Sequence, residues 1–158
     1  MMDGTVLYMI GGIWLIWRLW QLAMVDLCCG LLYDRLVLIV ALSSVYPYLG
    51  GVQTLDSMLA GGGVGWGLLW LLRLISRGGI GWGDIKLAGA IGLWLGARGT
   101  LVSLAVAFGL GGIVAMGLIG KYGYSCSAKI PFGPFLAVGG SFGYWFGLDC
   151  WQWYEALL

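Results

Sequence analysis

The sequence predicts an all-α integral membrane protein: a bundle of about six transmembrane helices forming one domain over residues 1–158. Three observations predict it. Hydrophobic residues make up 61% of the chain and charged residues 9%, with a mean hydropathy of +0.94, so a small water-soluble core could not hide the apolar surface and lipid must cover much of it. The apolar residues fall into runs, most of them long enough to cross a hydrocarbon layer of about 30 Å. The charges are gathered mainly into the short connections between those runs.

The first run, 5–25, has no basic segment before it and is long enough to span, which marks a retained helix and not a cleaved signal peptide. Gly30 breaks the chain after it, and Asp34-Arg35 restarts it toward a second run over 36–52. A third covers 55–72. The fourth, 85–98, follows the segment Gly81-Trp82-Gly83-Asp84. With Asp84 as its N-cap, this helix has 14 residues up to Arg98, about 21 Å at 1.5 Å per residue, which is short for a bilayer. Its N-terminus is therefore expected below the membrane surface, in a pocket that water can reach. The fifth and sixth runs cover 100–120 and 131–153, the last one bent and started by Pro131 and Pro134.

Glycine, at 30 residues, has its own pattern. Gly61-x-x-x-Gly65 and Ala88-x-x-x-Gly92-x-x-x-Gly96 set small residues one turn apart, the spacing that lets helix backbones approach closely in lipid. These are packing seams, and a methyl added at Gly61 is expected to cost only modest stability.

The distribution of basic residues orients the bundle. With the N-terminus outside, Arg35, Arg73, Arg77, Lys86, Lys121 and Lys129 fall on the cytoplasmic side, Arg98 falls outside, and Arg18 lies near the inner end of the first helix, where it can snorkel. The expected location is the inner, cytoplasmic membrane. The same topology puts Asp26, Asp34 and Asp84 on the cytoplasmic side, near the ends of three different helices. A formal net charge of +1 with no basic run gives no field for nucleic acid, which is not an expected partner. Cys28, Cys29, Cys126 and Cys150 form no C-x-x-C pair and are expected as free thiols.

An ionisable side chain at membrane depth costs about 2.5–3.5 kcal/mol on insertion scales, so an acid there raises a functional hypothesis. Asp84 fits best. Gly81 and Gly83 remove the side chains on either side of Trp82, allowing irregular backbone and a close approach by a substrate. Asp26 is the natural companion. Two carboxylates in a partly dry pocket do not both ionise easily; they share a proton, and such a pair can activate water with one member and protonate a leaving amine with the other. The residues alone equally fit two interfacial caps paired with Lys86 or Arg35. Because the chain has no histidine, Ser-His, Cys-His and H-E-x-x-H chemistry are excluded, and no metal or other cofactor is expected. A Ser-Lys arrangement stays formally open through Ser125 or Ser127 with Lys121 or Lys129.

At three places the sequence resembles one family. "GWGDIKL", from Gly81, is similar to the G-x-G-D-x-K-L motif of type IV prepilin peptidases, "VDLCCGLLYDRLVL" resembles their first aspartate segment, and "KIPFGPFLAVGG", from Lys129 to Gly140, resembles the opening of their last helix. The resemblance implies a six-helix, metal-independent membrane aspartic endopeptidase working at the cytoplasmic face, with Asp26 and Asp84 as catalytic residues. It implies prepilin or pseudopilin substrates, cut after a short basic leader ahead of an apolar helix. Gly81 and Gly83 then lie along the substrate backbone, while Lys86 meets headgroups or an acidic residue of the mature pilin and Asp34 the basic leader. Tyr33 stands where the family usually has proline. The chain starts directly with its first helix and so resembles the short, peptidase-only members that lack the N-terminal methyltransferase region. The competing readings are a transporter subunit using the two aspartates as a proton or cation relay, and a presenilin-like signal-peptide protease.

Overall fold

The computed structural model describes residues 4–30, 32–122 and 131–157, and the regular structure in them is helical. In chain order, α1 is Gly4–Cys29, α2 Asp34–Leu42, α3 Val45–Leu49, α4 Leu55–Ile75, α5 Trp82–Tyr122 and α6 Gly133–Glu155. Among the described residues, three segments, Val6–Cys29, Leu55–Ile75 and Trp82–Lys121, are long and apolar enough to cross a membrane. With three such helices the chain reads as a multi-pass helical membrane protein.

The expected second helix, 36–52, is broken into α2 and α3 at Ser43-Ser44. Pro47 supplies the reason, since its ring opposes the carbonyl four residues earlier and it has no N–H to donate. The serines accommodate the break: Ser43 Oγ donates to Val40 O at 2.6 Å and Ser44 Oγ to Ala41 O at 2.7 Å. Trp94, fully buried, ties the break to α5 by donating from Nε1 to Val40 O at 3.0 Å and to Ser43 Oγ at 3.1 Å.

α5 is two limbs. Gly96, at φ 69 and ψ 176, leaves helical geometry, and the chain turns back there. The first limb, 82–95, lies on α4, with Gly92 against Gly61 and Ala88 against Gly65. The second limb, 97–122, lies on α6, with Gly99 beside Gly143, Ser103 beside Gly139, and Phe108 packed on Phe132. Leu95 and Gly99 thus flank the same part of α6, while Phe108 has returned to its N-terminal end, as a hairpin requires. The break falls close to the one expected between the fourth and fifth runs. At the turn, Gln53 Nε2 donates to Leu95 O at 3.2 Å and Ser57 Oγ to Gln53 Oε1 at 2.6 Å.

Leu15, Leu19 and Leu22 of α1, Leu69 of α4, Ile85, Leu87 and Ile91 of α5, and Leu136 of α6 form the buried centre. Gly140 is its hub, contacting Leu19 on one side and Ile91 on the other. Ile13, Trp17, Met24, Leu59, Ile113 and Met116 are each more than half exposed, as side chains facing lipid tails would be. In lipid, helix association rests on close packing and not on transfer of apolar surface from water, which is why the glycine seams matter. Both expected seams are present. Their contacts, however, are backbone against backbone: a Cβ at Gly61 would come within 2.5 Å of Gly96 C and 2.7 Å of Gly96 Cα. The modest cost expected of a methyl there is therefore revised upward.

Candidate active site

Asp26 sits in the last turns of α1, before Gly30 ends the helix with φ 62 and donates its N–H to Asp26 O at 2.8 Å. The side chain is buried, and its Oδ2 accepts the Gly133 N–H at 2.9 Å. The physical cause is the start of α6, where the first N–H groups have no partner inside the helix and the helix dipole favours a negative group. Gly133 is required by space as well: a Cβ there would stand 2.5 Å from Asp26 Oδ2 and 3.0 Å from its Cβ and Cγ.

Asp84 is buried in the first turn of α5. The helix starts two residues before the expected N-cap because the Ile85 N–H already bonds to Gly81 O, so Gly81 takes the cap position and Asp84 falls inside the turn. Gly81 lies against the carboxylate, and a Cβ there would stand 2.9 Å from Asp84 Oδ2. Asp84 Oδ1 is buried with no hydrogen-bond partner among the described residues. Asp26 and Asp84, far apart in sequence, are close enough to interact electrostatically. Neither is paired with Lys86 or Arg35 by a salt bridge among the described residues.

Asp34 and Lys86 lie elsewhere. Lys86 follows Asp84 by two residues, about 200° around the helix, and therefore faces away from it. Its Nζ meets Asp34 Oδ2 at 2.7 Å in an exposed ion pair. The pair lies at a groove of about 550 Å³, lined by α2, α4 and the first limb of α5 through Val37, Leu59, Gly63, Trp66 and Leu93 among others. Gly83 faces Leu32, whose Cβ would be 2.6 Å from an added Cβ, so its size is already explained by packing against the α1–α2 connection. Ser125, Ser127, Lys129 and Cys126 lie outside the described residues, as do the first two residues of the K-I-P-F-G-P-F segment. Cys28, Cys29 and Cys150 are free thiols. Pro134 stands in the first turn of α6, where it starts the helix as expected.

The model of the Type IV leader peptidase family matches residues 13–116, a segment that holds both buried aspartates. The chain belongs to the type IV leader peptidase family. Among curated relatives, a prepilin leader peptidase/N-methyltransferase from Aeromonas hydrophila is 32% identical over 146 residues, covering 89% of this chain and 50% of the relative. Proteins of the same description from Dichelobacter nodosus and Stutzerimonas stutzeri are 34% and 29% identical, over 86% and 89% of this chain and 48% and 53% of their own lengths. The chain thus spans about half the length of the curated relatives it matches. No solved structure matches it.

In this member of the leader peptidase family, sequence reasoning missed two residues that shape the site. Gly133 lies inside the K-I-P-F-G-P-F segment, and its place between Pro131 and Pro134 is a usable signal for a helix start with a bare backbone. Leu32, which closes on Gly83, carries none, since nothing in a run of leucines distinguishes the one that turns inward.

Proposed function

We propose that this chain is an aspartic endopeptidase of the inner membrane, one membrane-embedded domain over residues 1–158, that removes the short basic leader from type IV prepilins or pseudopilins at the cytoplasmic boundary. The observation that carries the reading is a pair of buried carboxylates, Asp26 near the end of α1 and Asp84 at the start of α5. Asp84 Oδ1, buried and without a partner among the described residues, is the oxygen we assign to the attacking water. One carboxylate takes a proton from that water and the other delivers one to the leaving amine, the division of labour that a coupled pair permits. Asp26, fixed by the Gly133 N–H, keeps its carboxylate in register with α6.

Counting the two limbs of α5 separately, and α2 with α3 as one crossing, gives six passes. An outside N-terminus is supported by charge: Arg35, Arg73, Arg77 and Lys86 stand at the same end as the aspartates, and Arg98 stands at the other end with Glu155, 3.5 Å away. The test is cleavage of a purified prepilin by the purified protein in detergent, with product identified by mass; a protein that binds the substrate and leaves it whole would end the proposal.

We assign Asp34 to the basic leader and Lys86 to an acidic residue of the mature segment, with Gly81 beside the substrate backbone; Gly83, packed on Leu32, is left to the helix contact. Because Asp34 and Lys86 are exposed and already paired, exchanging one partner costs about 0.2–1 kcal/mol. Asp34→Asn is therefore expected to lower kcat/KM by no more than about fivefold, chiefly through KM. A loss as deep as that of the buried aspartates would move the catalytic assignment to Asp34.

EDTA is expected to leave cleavage unchanged. No group of three or more His, Cys, Asp or Glu side chains among the described residues is arranged to hold a metal, and activity lost to chelation and restored by zinc would contradict the carboxylate mechanism.

A further inference from the structure

The connection from α4 to α5, residues 76–81, delivers Asp84 to the site, yet it is built from residues with little hold of their own. It leaves α4 through Arg77 at φ 52 and Gly78 at φ 95, both in left-handed backbone, and continues through Gly79. On the α4 side its bonds are Gly78 N–H to Arg73 O at 2.9 Å, and Gly79 N–H to Ser76 O at 3.3 Å and to Ser76 Oγ at 3.2 Å; on the α5 side Gly81 O accepts the Ile85 N–H at 3.4 Å. Besides that bond and the packing of Ile80 on the buried core, one side chain of α4 reaches across the connection. Arg73, in the last turn of α4, donates from Nη1 to the carbonyl of Ile80 and lays its guanidinium over the Trp82 ring, with Cζ 4.9 Å from the centroid.

Those two contacts bracket Gly81, the residue lying against Asp84 Oδ2. We propose that Arg73 is a positioning residue for Asp84: by gripping Ile80 and Trp82 it fixes Gly81 as one wall of the carboxylate and sets where α5 begins. The inference rests on the assignment of Asp84 to catalysis. A planar guanidinium is suited to both contacts at once, since it can donate in its plane while stacking face-on over an indole. Lysine keeps the charge and can reach the carbonyl, but it lacks the plane.

The test compares wild type, Arg73→Lys and Arg73→Met in detergent, using cleavage of a purified prepilin, thermal stability, and hydrogen exchange of the segment 79–85 followed by mass spectrometry. Displacing a reacting group by about 1 Å can cost as much as 10²-fold in rate. The expected result for Arg73→Met is a kcat lowered at least about tenfold with KM within twofold, an unchanged melting midpoint, and faster exchange over 79–85. Arg73→Lys falls between it and wild type in both rate and exchange. Wild-type kcat, or unchanged exchange over 79–85, in Arg73→Met overturns the proposal. Asp84→Asn in the same assay separates the two ways of failing: if that variant still cleaves, the aspartate assignment falls and takes the catalytic role of Arg73 with it. If it is dead while Arg73→Met exchanges normally, the clamp alone is wrong.

Discussion

Asp26→Asn and Asp84→Asn are each expected to lower prepilin cleavage by at least roughly 10²-fold and toward 10⁴-fold, the range that general acid–base catalysis supplies, while both proteins insert and fold. The structure gives each half of that expectation a cause. An amide has nearly the shape of a carboxylate, so in Asp26→Asn the side-chain oxygen can still accept the Gly133 N–H and α6 keeps its cap. Asp84→Asn replaces a buried acid whose Oδ1 has no partner among the described residues, so no hydrogen bond to that oxygen is broken. What both variants lose is proton transfer. The measurement is single-turnover cleavage alongside a melting curve, and near wild-type cleavage by either variant would sink the two-aspartate mechanism. Asp26→Leu, which removes the acceptor as well as the acid, should in addition melt earlier than Asp26→Asn.

Gly61→Ala is expected to be among the most destabilising single-methyl changes in the molecule. The new Cβ would meet the backbone of Gly92 and Gly96, and backbone in a helix seam cannot rotate away as a side chain end can. Either α4 and the first limb of α5 separate or the turn at Gly96 moves, and forced repacking of this kind costs about 1–3 kcal/mol or more. Gly63→Ala, two residues along the same helix, is the control: nothing lies within 4 Å of its added methyl. A clear drop in melting midpoint for Gly61→Ala beside a negligible change for Gly63→Ala is the predicted outcome. Equal shifts for the two would show that the seam is looser than the backbone contacts imply.

The apolar runs were legible because lipid makes every spanning helix declare itself as an uninterrupted stretch, and the glycine spacing announced which faces approach one another. Asp26 and Asp84 stood out for the complementary reason, as charges where charge is costly. Other features were hidden. The break between the fourth and fifth runs was expected, but which residue makes the turn depends on one φ in a chain with 30 glycines, and the break that Pro47 imposes is masked because the second run carries no charge to mark it. The roles of Gly133 and Arg73 are relational: each acts on an aspartate far away in sequence or on the loop that carries one. Gly61 illustrates the limit from the other side, since spacing identified its seam but not whether it faces atoms that can yield.

Asp26 is held by the backbone of α6, and that has a consequence for the order in which the protein is made. α1 emerges first and carries Asp26; the first limb of α5 follows with Asp84. Both acids are then in the membrane, but the N–H that fixes Asp26 and the helix that packs between Leu19 and Ile91 do not yet exist. About 50 further residues must be added, several seconds of translation at roughly 5–20 residues per second. A ribosome-bound chain stalled after Lys121 would thus possess both acids without the N–H that holds Asp26, and the site would be complete only with the insertion of α6. Under the proposed peptidase mechanism, synthesis from the N-terminus would therefore delay completion of the site until the last helix is in place.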